Sequence, residues 1–250
     1  LLIVLGTLSP QAESIRRGAD TFLDVELMKT WQILLLVSFI VGVAAAMAMF
    51  HYLYQTRSCG MMNTLPVRRE TMFSTAYLTG LVPLLLSDVL VTLLTALLFC
   101  PGGLLSFRAL LDFLAIIVMA NVAFYGFAVF CAMLTGNLLV LPAVYVVLNF
   151  TAIVAEGCAR QLLQIFVYGM ITTGTDLDFL SPMARLMRAV SIQVDYEQRV
   201  YTLQGLGTLG AYCAAGLALS LAALLLYRRR RMETATDVVA IPILKPVFKY

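Results

Sequence analysis

VYTLQGLGTLGAYCAAGLALSLAALLLY at residues 200–227, followed at once by Arg228, Arg229, Arg230 and Arg231, is the stretch on which the fold turns. It holds 28 residues without an Asp, Glu, Lys or Arg, more than the roughly 20 that an apolar helix needs to cross a bilayer. A basic cluster at the end of such a span stays on the cytoplasmic side. The last span therefore runs inward, and each earlier span takes its direction by counting back from it.

Composition points the same way. Of 250 residues, 61% are hydrophobic and 12% charged, and the mean hydropathy is +0.92. A soluble domain of this size does not carry such a balance. The net charge of +3 gathers at the ends of the apolar runs. It reports topology and gives no sign of nucleic-acid binding. Cys59, Cys100, Cys131, Cys158 and Cys213 lack CxxC or CxxH spacing, which argues for buried apolar thiols rather than a metal site or a disulfide framework.

Charges and breakers divide the rest into an all-α membrane bundle. The expected spans are 31–54, 71–100, 109–134, 138–155 and 203–227, with residues 1–5 read as the outer end of a first, truncated helix, for six in all. Trp31 marks one interface of its span and Tyr52 and Tyr54 the other, in the manner of aromatic belts. Pro83 and Asp88 interrupt the next run, and Thr135, Gly136 and Asn137 form the turn that splits 109–155 into two helices. The loops agree with this count. Segment 55–70, which falls inside, carries Arg57, Arg68 and Arg69 against Glu70, whereas 6–30, which falls outside, carries Arg16, Arg17 and Lys29 against Glu13, Asp20, Asp24 and Glu26. Gly210, Ala214, Ala218 and Ala222 make a small-residue stripe expected to let the last helix pack closely.

Two connecting segments carry more than a hairpin needs. In the outer helical segment 156–202, the apolar run 162–171 is too short to span and reads as a re-entrant or interfacial helix. After it, Ser181 is placed as an N-cap with Pro182 at the first helical position. Met183, Leu186, Met187 and Val190 then form an apolar face, with Arg185 and Arg188 off it. This helix either caps the bundle or gates it. In the inner segment 55–70, Gly60 and Pro66 flank Met61, Met62 and Leu65, and Arg68, Arg69 and Glu70 open the next helix. Apolar side chains rimmed by arginine suit a protein partner, because Met repacks against irregular grooves and Arg fixes register. The alternative is a membrane-surface loop whose arginines only hold topology.

The run Arg57-Ser58-Cys59-Gly60-Met61-Met62-Asn63-Thr64-Leu65-Pro66-Val67-Arg68-Arg69-Glu70 resembles the cytoplasmic loop of bacterial type 2 ABC transporter permeases, in particular a Gram-positive group with the pattern R-S-x-G-M-M-x-x-L-P-[IV]-R-R-E. The tail 228–250, with Arg231-Met232-Glu233, Asp237-Val238-Val239 and the terminal Lys245-Pro246-Val247-Phe248-Lys249-Tyr250, is similar to that group's C-terminal region. The resemblance implies a permease subunit in the bacterial plasma membrane. It further implies a second permease half and two ATP-binding subunits that hold ATP and magnesium. The inner loop would dock on the ATPase through Met61, Met62, Leu65, Arg68, Arg69 and Glu70. Export of an amphipathic or peptide-like cargo is the commoner direction in that family.

No G-x-x-x-x-G-K-[ST] occurs, and the only lysines are Lys29, Lys245 and Lys249, so hydrolysis of ATP falls to another chain and no cofactor is expected in this one. Neither H-E-x-x-H nor G-x-S-x-G is present, and His51, the sole histidine, reads as an interfacial or packing residue. Inside the spans, Asp88, Asn121 and Asn149 stand out, because a carboxyl or amide in hydrocarbon is costly and is a functional candidate by default. Either they line a translocation path, or Asp88 is neutral and bonded to a neighbouring helix through Asn121 or Asn149. Asp112 and Glu156 sit near outer helix ends, where solvation is expected. A secondary transporter or channel using Asp88 for proton coupling is the competing class, and a non-transporting scaffold the third.

Overall fold

The structure, a computed structural model, describes residues 22–55, 67–99, 106–166, 177–195 and 200–229. Its elements in order are α1 (Phe22–Lys29), α2 (Trp31–Phe50) continued by a 3-10 turn (His51–Leu53), α3 (Arg69–Phe99), α4 (Phe107–Leu134) and α5 (Val140–Phe166). A 3-10 turn (Leu177–Leu180), α6 (Pro182–Ala189), a hairpin of β1 (Ser191–Asp195) and β2 (Val200–Gln204), and α7 (Leu206–Arg229) complete them. Among the described residues, five helices are long and apolar enough to cross a membrane, namely α2, α3, α4, α5 and α7. The chain is a helical, multi-pass membrane protein. The remnant at 1–5, the loop core with Met61, Met62 and Leu65, and the tail 231–250 lie outside the described residues.

α4 is the hub. Ser106 starts it by accepting the Ala109 N–H on its hydroxyl at 3.2 Å, the usual N-cap bond. Thr135 leaves the helix in an extended conformation, and the Asn137 side chain then accepts the Leu139 N–H at 3.0 Å to launch α5. α4 packs on α2, α3, α5 and α7. From Ile116 to Met133 it is buried almost all round, as befits a helix apolar on every face. The tightest approach is to α7, where a Cβ on Gly126 would stand 2.3 Å from the Gly216 carbonyl oxygen.

Two clusters fill the bundle. The one toward the end that the positive-inside bias would place outside, the outer cluster, is mostly aliphatic, with Leu27, Met28, Trp31, Leu35, Ile116, Met183, Leu186 and Leu209. The inner one is aromatic, with Phe50, Tyr54, Phe73, Tyr125, Tyr145 and Tyr227. Pair geometries include Phe73 against Phe50 and against Tyr227, both at 5.6 Å between centroids.

Four expectations change on contact with this structure. α5 does not stop at 155 but runs on to Phe166, so 162–166 continue that helix and are not a separate re-entrant element. Glu156, just past the expected end, bonds Arg160 one turn ahead, an i,i+4 pair that supports a helix. At about 1.5 Å per residue, its 27 residues exceed the roughly 30 Å of a hydrocarbon core. Next, the span expected at 203–227 begins later in the uncharged run 200–227. The first five residues of that run form β2, paired antiparallel from Ser191↔Gln204 to Asp195↔Val200, and α7 begins only after Gly205. Gly205 has φ +93, and a Cβ there would lie 2.2 Å from the Ala189 carbonyl oxygen. Only glycine fits that corner.

The small-residue stripe also moves. A Cβ added at Gly210 would meet nothing within 4 Å, and Ala214 and Ala218 are exposed. The packed face of α7 is Leu209, Gly216, Ser220, Ala223 and Tyr227, because the Gly126 and Gly216 fit sets the rotation of the helix. Finally, Met183, Leu186 and Val190 of the α6 face are buried, while Met187 is exposed.

Candidate functional site

The end that the basic segments would place inside, the inner end, brings together segments far apart in sequence. Arg68, Arg69 and Glu70 are exposed at the start of α3, and Glu70 Oε1 meets Arg228 Nη2 at 2.9 Å. The first turn of α3 thus sits beside the last turn of α7, and the loop motif's final residues are held against the first arginine of the tail. Beneath this rim the Tyr52 hydroxyl donates to the Tyr227 hydroxyl at 3.5 Å. The Tyr54 hydroxyl donates to the Ala132 carbonyl at 3.1 Å, satisfying one of the last carbonyls of α4, which have no helical donor left. His51 is exposed at the junction of α2 and its 3-10 turn. Arginine heads on an aromatic floor make a surface suited to a partner with acidic groups.

In the membrane interior the three polar candidates are not gathered at one place. Asp88 of α3 and Asn121 of α4 face each other, with Asn121 Nδ2 donating at 2.9 and 2.8 Å to the two carboxyl oxygens. Both side chains are buried. Asn149 of α5 serves a different junction, where its Oδ1 accepts the Met183 N–H at 3.2 Å. It is therefore the side chain that caps α6. Ser181 occupies the cap position, and Pro182 the first turn as expected. The Ser181 hydroxyl, however, turns to α5 and accepts the Ile153 N–H at 3.2 Å.

The outer acids divide as well. Asp112 lies 4.0 Å from the exposed Arg108, but Glu156 is buried and bonded to Arg160 rather than solvated. Asp24, counted in the sequence as one charge of an outer loop, is buried and accepts the Ser106 N–H at 2.9 Å. That bond ties α1 to the start of α4. No spacing rule marks such a partner, since Asp24 and Ser106 meet only once α1 and α4 are packed.

The chain matches no protein-family model, no curated protein and no solved structure. Function must be read from its own residues.

Proposed function

We propose that the chain is the membrane-spanning permease subunit of an ATP-driven ABC transporter in a bacterial plasma membrane, working as an exporter. Its partners are a second permease half and ATP-binding subunits that hold ATP and magnesium. The observation that carries this reading is the inner rim. Arg68 and Arg69 stand exposed directly behind the loop motif, and the neighbouring Glu70 is joined to Arg228 at 2.9 Å. A push on the loop by a partner is thereby delivered to the first turn of α3 and the last turn of α7 together, and both helices pack on α4. Such a linkage suits alternating access. ATP closes the partner dimer, the loop with Met61, Met62 and Leu65 moves with it, and the spans reorient around a path between two permease halves.

The experiment is co-purification. The solubilised wild-type chain is expected to bring down an ABC ATPase, and replacing Met62 and Leu65 by Asp is expected to abolish that association without changing membrane insertion. An ATPase that stays bound to the double variant removes the docking assignment.

The buried Asp88 favours the second reading, a proton-coupled transporter acting alone. The two part cleanly in proteoliposomes. Under the permease reading Asp88→Asn retains transport driven by the partner's ATP hydrolysis. Loss of transport in a variant that still assembles with its ATPase moves the assignment to proton coupling.

A further inference from the structure

Asp88 and Asn121 are each 5% exposed, and their contact is incomplete in an informative way. One amino group, Asn121 Nδ2, is offered to both oxygens of the Asp88 carboxyl. The other end of the same amide, Asn121 Oδ1, is buried and accepts no hydrogen bond. An ionised carboxylate consists only of acceptors and can do nothing for that oxygen. A carboxylic acid can. Its O–H donates to Oδ1 while Nδ2 donates to the remaining carboxyl oxygen, and a small rotation of the amide turns the one-sided contact into this reciprocal pair.

The surrounding charges lead to the same state. The segments 31–50 of α2 and 206–227 of α7, which pack on α3 and α4, contain no Asp, Glu, Lys or Arg. The one cation of α4 is Arg108, which is exposed and paired with Asp112. It stands about 20 Å from Asn121 along the axis by helical rise. Arg69 of α3 is farther still from Asp88, about 28 Å by the same rise. The other titratable side chains within these spans, Tyr77, Tyr125, Cys131, Tyr212, Cys213 and Tyr227, are phenols and thiols, which carry no positive charge in either protonation state. Glu70 and Arg228 at the far ends of α3 and α7 pair with each other, as do Glu156 and Arg160 of α5, which packs on α4. Among the described residues an ionised Asp88 would have no counter-charge beside it, a state that intramembrane acids avoid by pairing or neutralising.

We propose that Asp88 and Asn121 form a proton-binding site, one proton being held on Asp88 as a carboxylic acid hydrogen-bonded to Asn121 Oδ1. The pair clamps α3 to α4 within the membrane, and its ligand is a proton and not a metal cation. The inference is independent of the transporter reading and deepens only the role of Asp88.

Infrared difference spectroscopy of the purified full chain in lipid nanodiscs at neutral pH tests it. Subtracting Asp88→Asn from wild type is expected to leave the carbonyl band of a protonated carboxylic acid, shifted in heavy water and unchanged when sodium is exchanged for choline. Asp88→Asn replaces the acid with an amide that still pairs with Asn121, so the variant folds. Asn121→Leu is expected to move the band to the higher frequency of an acid without a hydrogen-bond acceptor. Carboxylate stretches in the first difference spectrum overturn the proposal, and a dependence of those stretches on sodium replaces the proton by a cation. A band that Asn121→Leu leaves in place overturns the pairing. None of these readouts involves ATP or transport, so failure here and failure of the permease reading are told apart.

Discussion

At the outer end, Gly205, Asn149 and Asp24 each meet main-chain atoms of another element, whereas at the inner end Tyr52, Tyr54, Tyr227, Glu70 and Arg228 reach across with the tips of long side chains. The outer end is built of short pieces. α1, α6 and the hairpin have little helical length of their own, and close backbone fits hold them over aliphatic side chains. The inner end is made of helix termini on an aromatic floor, with its charged heads left in water. The contrast teaches that one end is fixed by close backbone fits while the other leaves its charged side chains exposed.

Sidedness is the largest effect. With cysteine introduced at Arg68 or Arg108 in a cysteine-free background, a membrane-impermeant thiol reagent applied to intact cells is expected to label Arg108→Cys and spare Arg68→Cys. Labelling of both from one side breaks the assignment of the two ends. Next comes the hairpin corner. Gly205→Ala places a Cβ against the Ala189 carbonyl and forces a non-glycine residue to φ +93. A loss of about 1 to 3 kcal/mol is expected, read as a lower unfolding temperature in detergent; an unchanged temperature means that the corner is not held as tightly as the inner floor.

Smaller effects sharpen the comparison. Asn149→Ala removes the α6 cap and is expected to cost about 1 kcal/mol. Tyr54→Phe removes the hydroxyl that donates to the Ala132 carbonyl, with a similar expected loss of about 1 kcal/mol. Amide hydrogen exchange separates them: Asn149→Ala should quicken exchange in α6 and Tyr54→Phe should leave α6 unchanged. The smallest is Glu70→Gln, which breaks an exposed pair and should change stability by less than about 1 kcal/mol. If its unfolding temperature falls as far as that of Gly205→Ala, the inner rim is a structural staple and not a presenting surface.

Hydropathy and length by themselves determined that this chain is a multi-pass helical protein and where α2, α3, α4 and α7 run, because crossing a bilayer sets local demands that each segment meets alone. Arg228, Glu70 and their neighbours marked span ends in the same way, since charges at span ends are a one-dimensional signal, but that Glu70 meets Arg228 was not part of that signal. Which helix is central was not legible: lipid is as apolar as a helix neighbour, so the pattern of α4 does not differ from that of a lipid-facing span. That choice was made by fit, through Gly126 against Gly216. The same holds for polar partners, as Asp88 finds Asn121 and Asn149 finds the backbone of Met183 only once the helices are side by side. Charge was misleading as punctuation at Glu156, where pairing within one helix removed the break. Local chemistry decided what can cross; packing in three dimensions decided who meets whom, because hydrogen bonds and close contacts depend on distances that sequence separation does not carry.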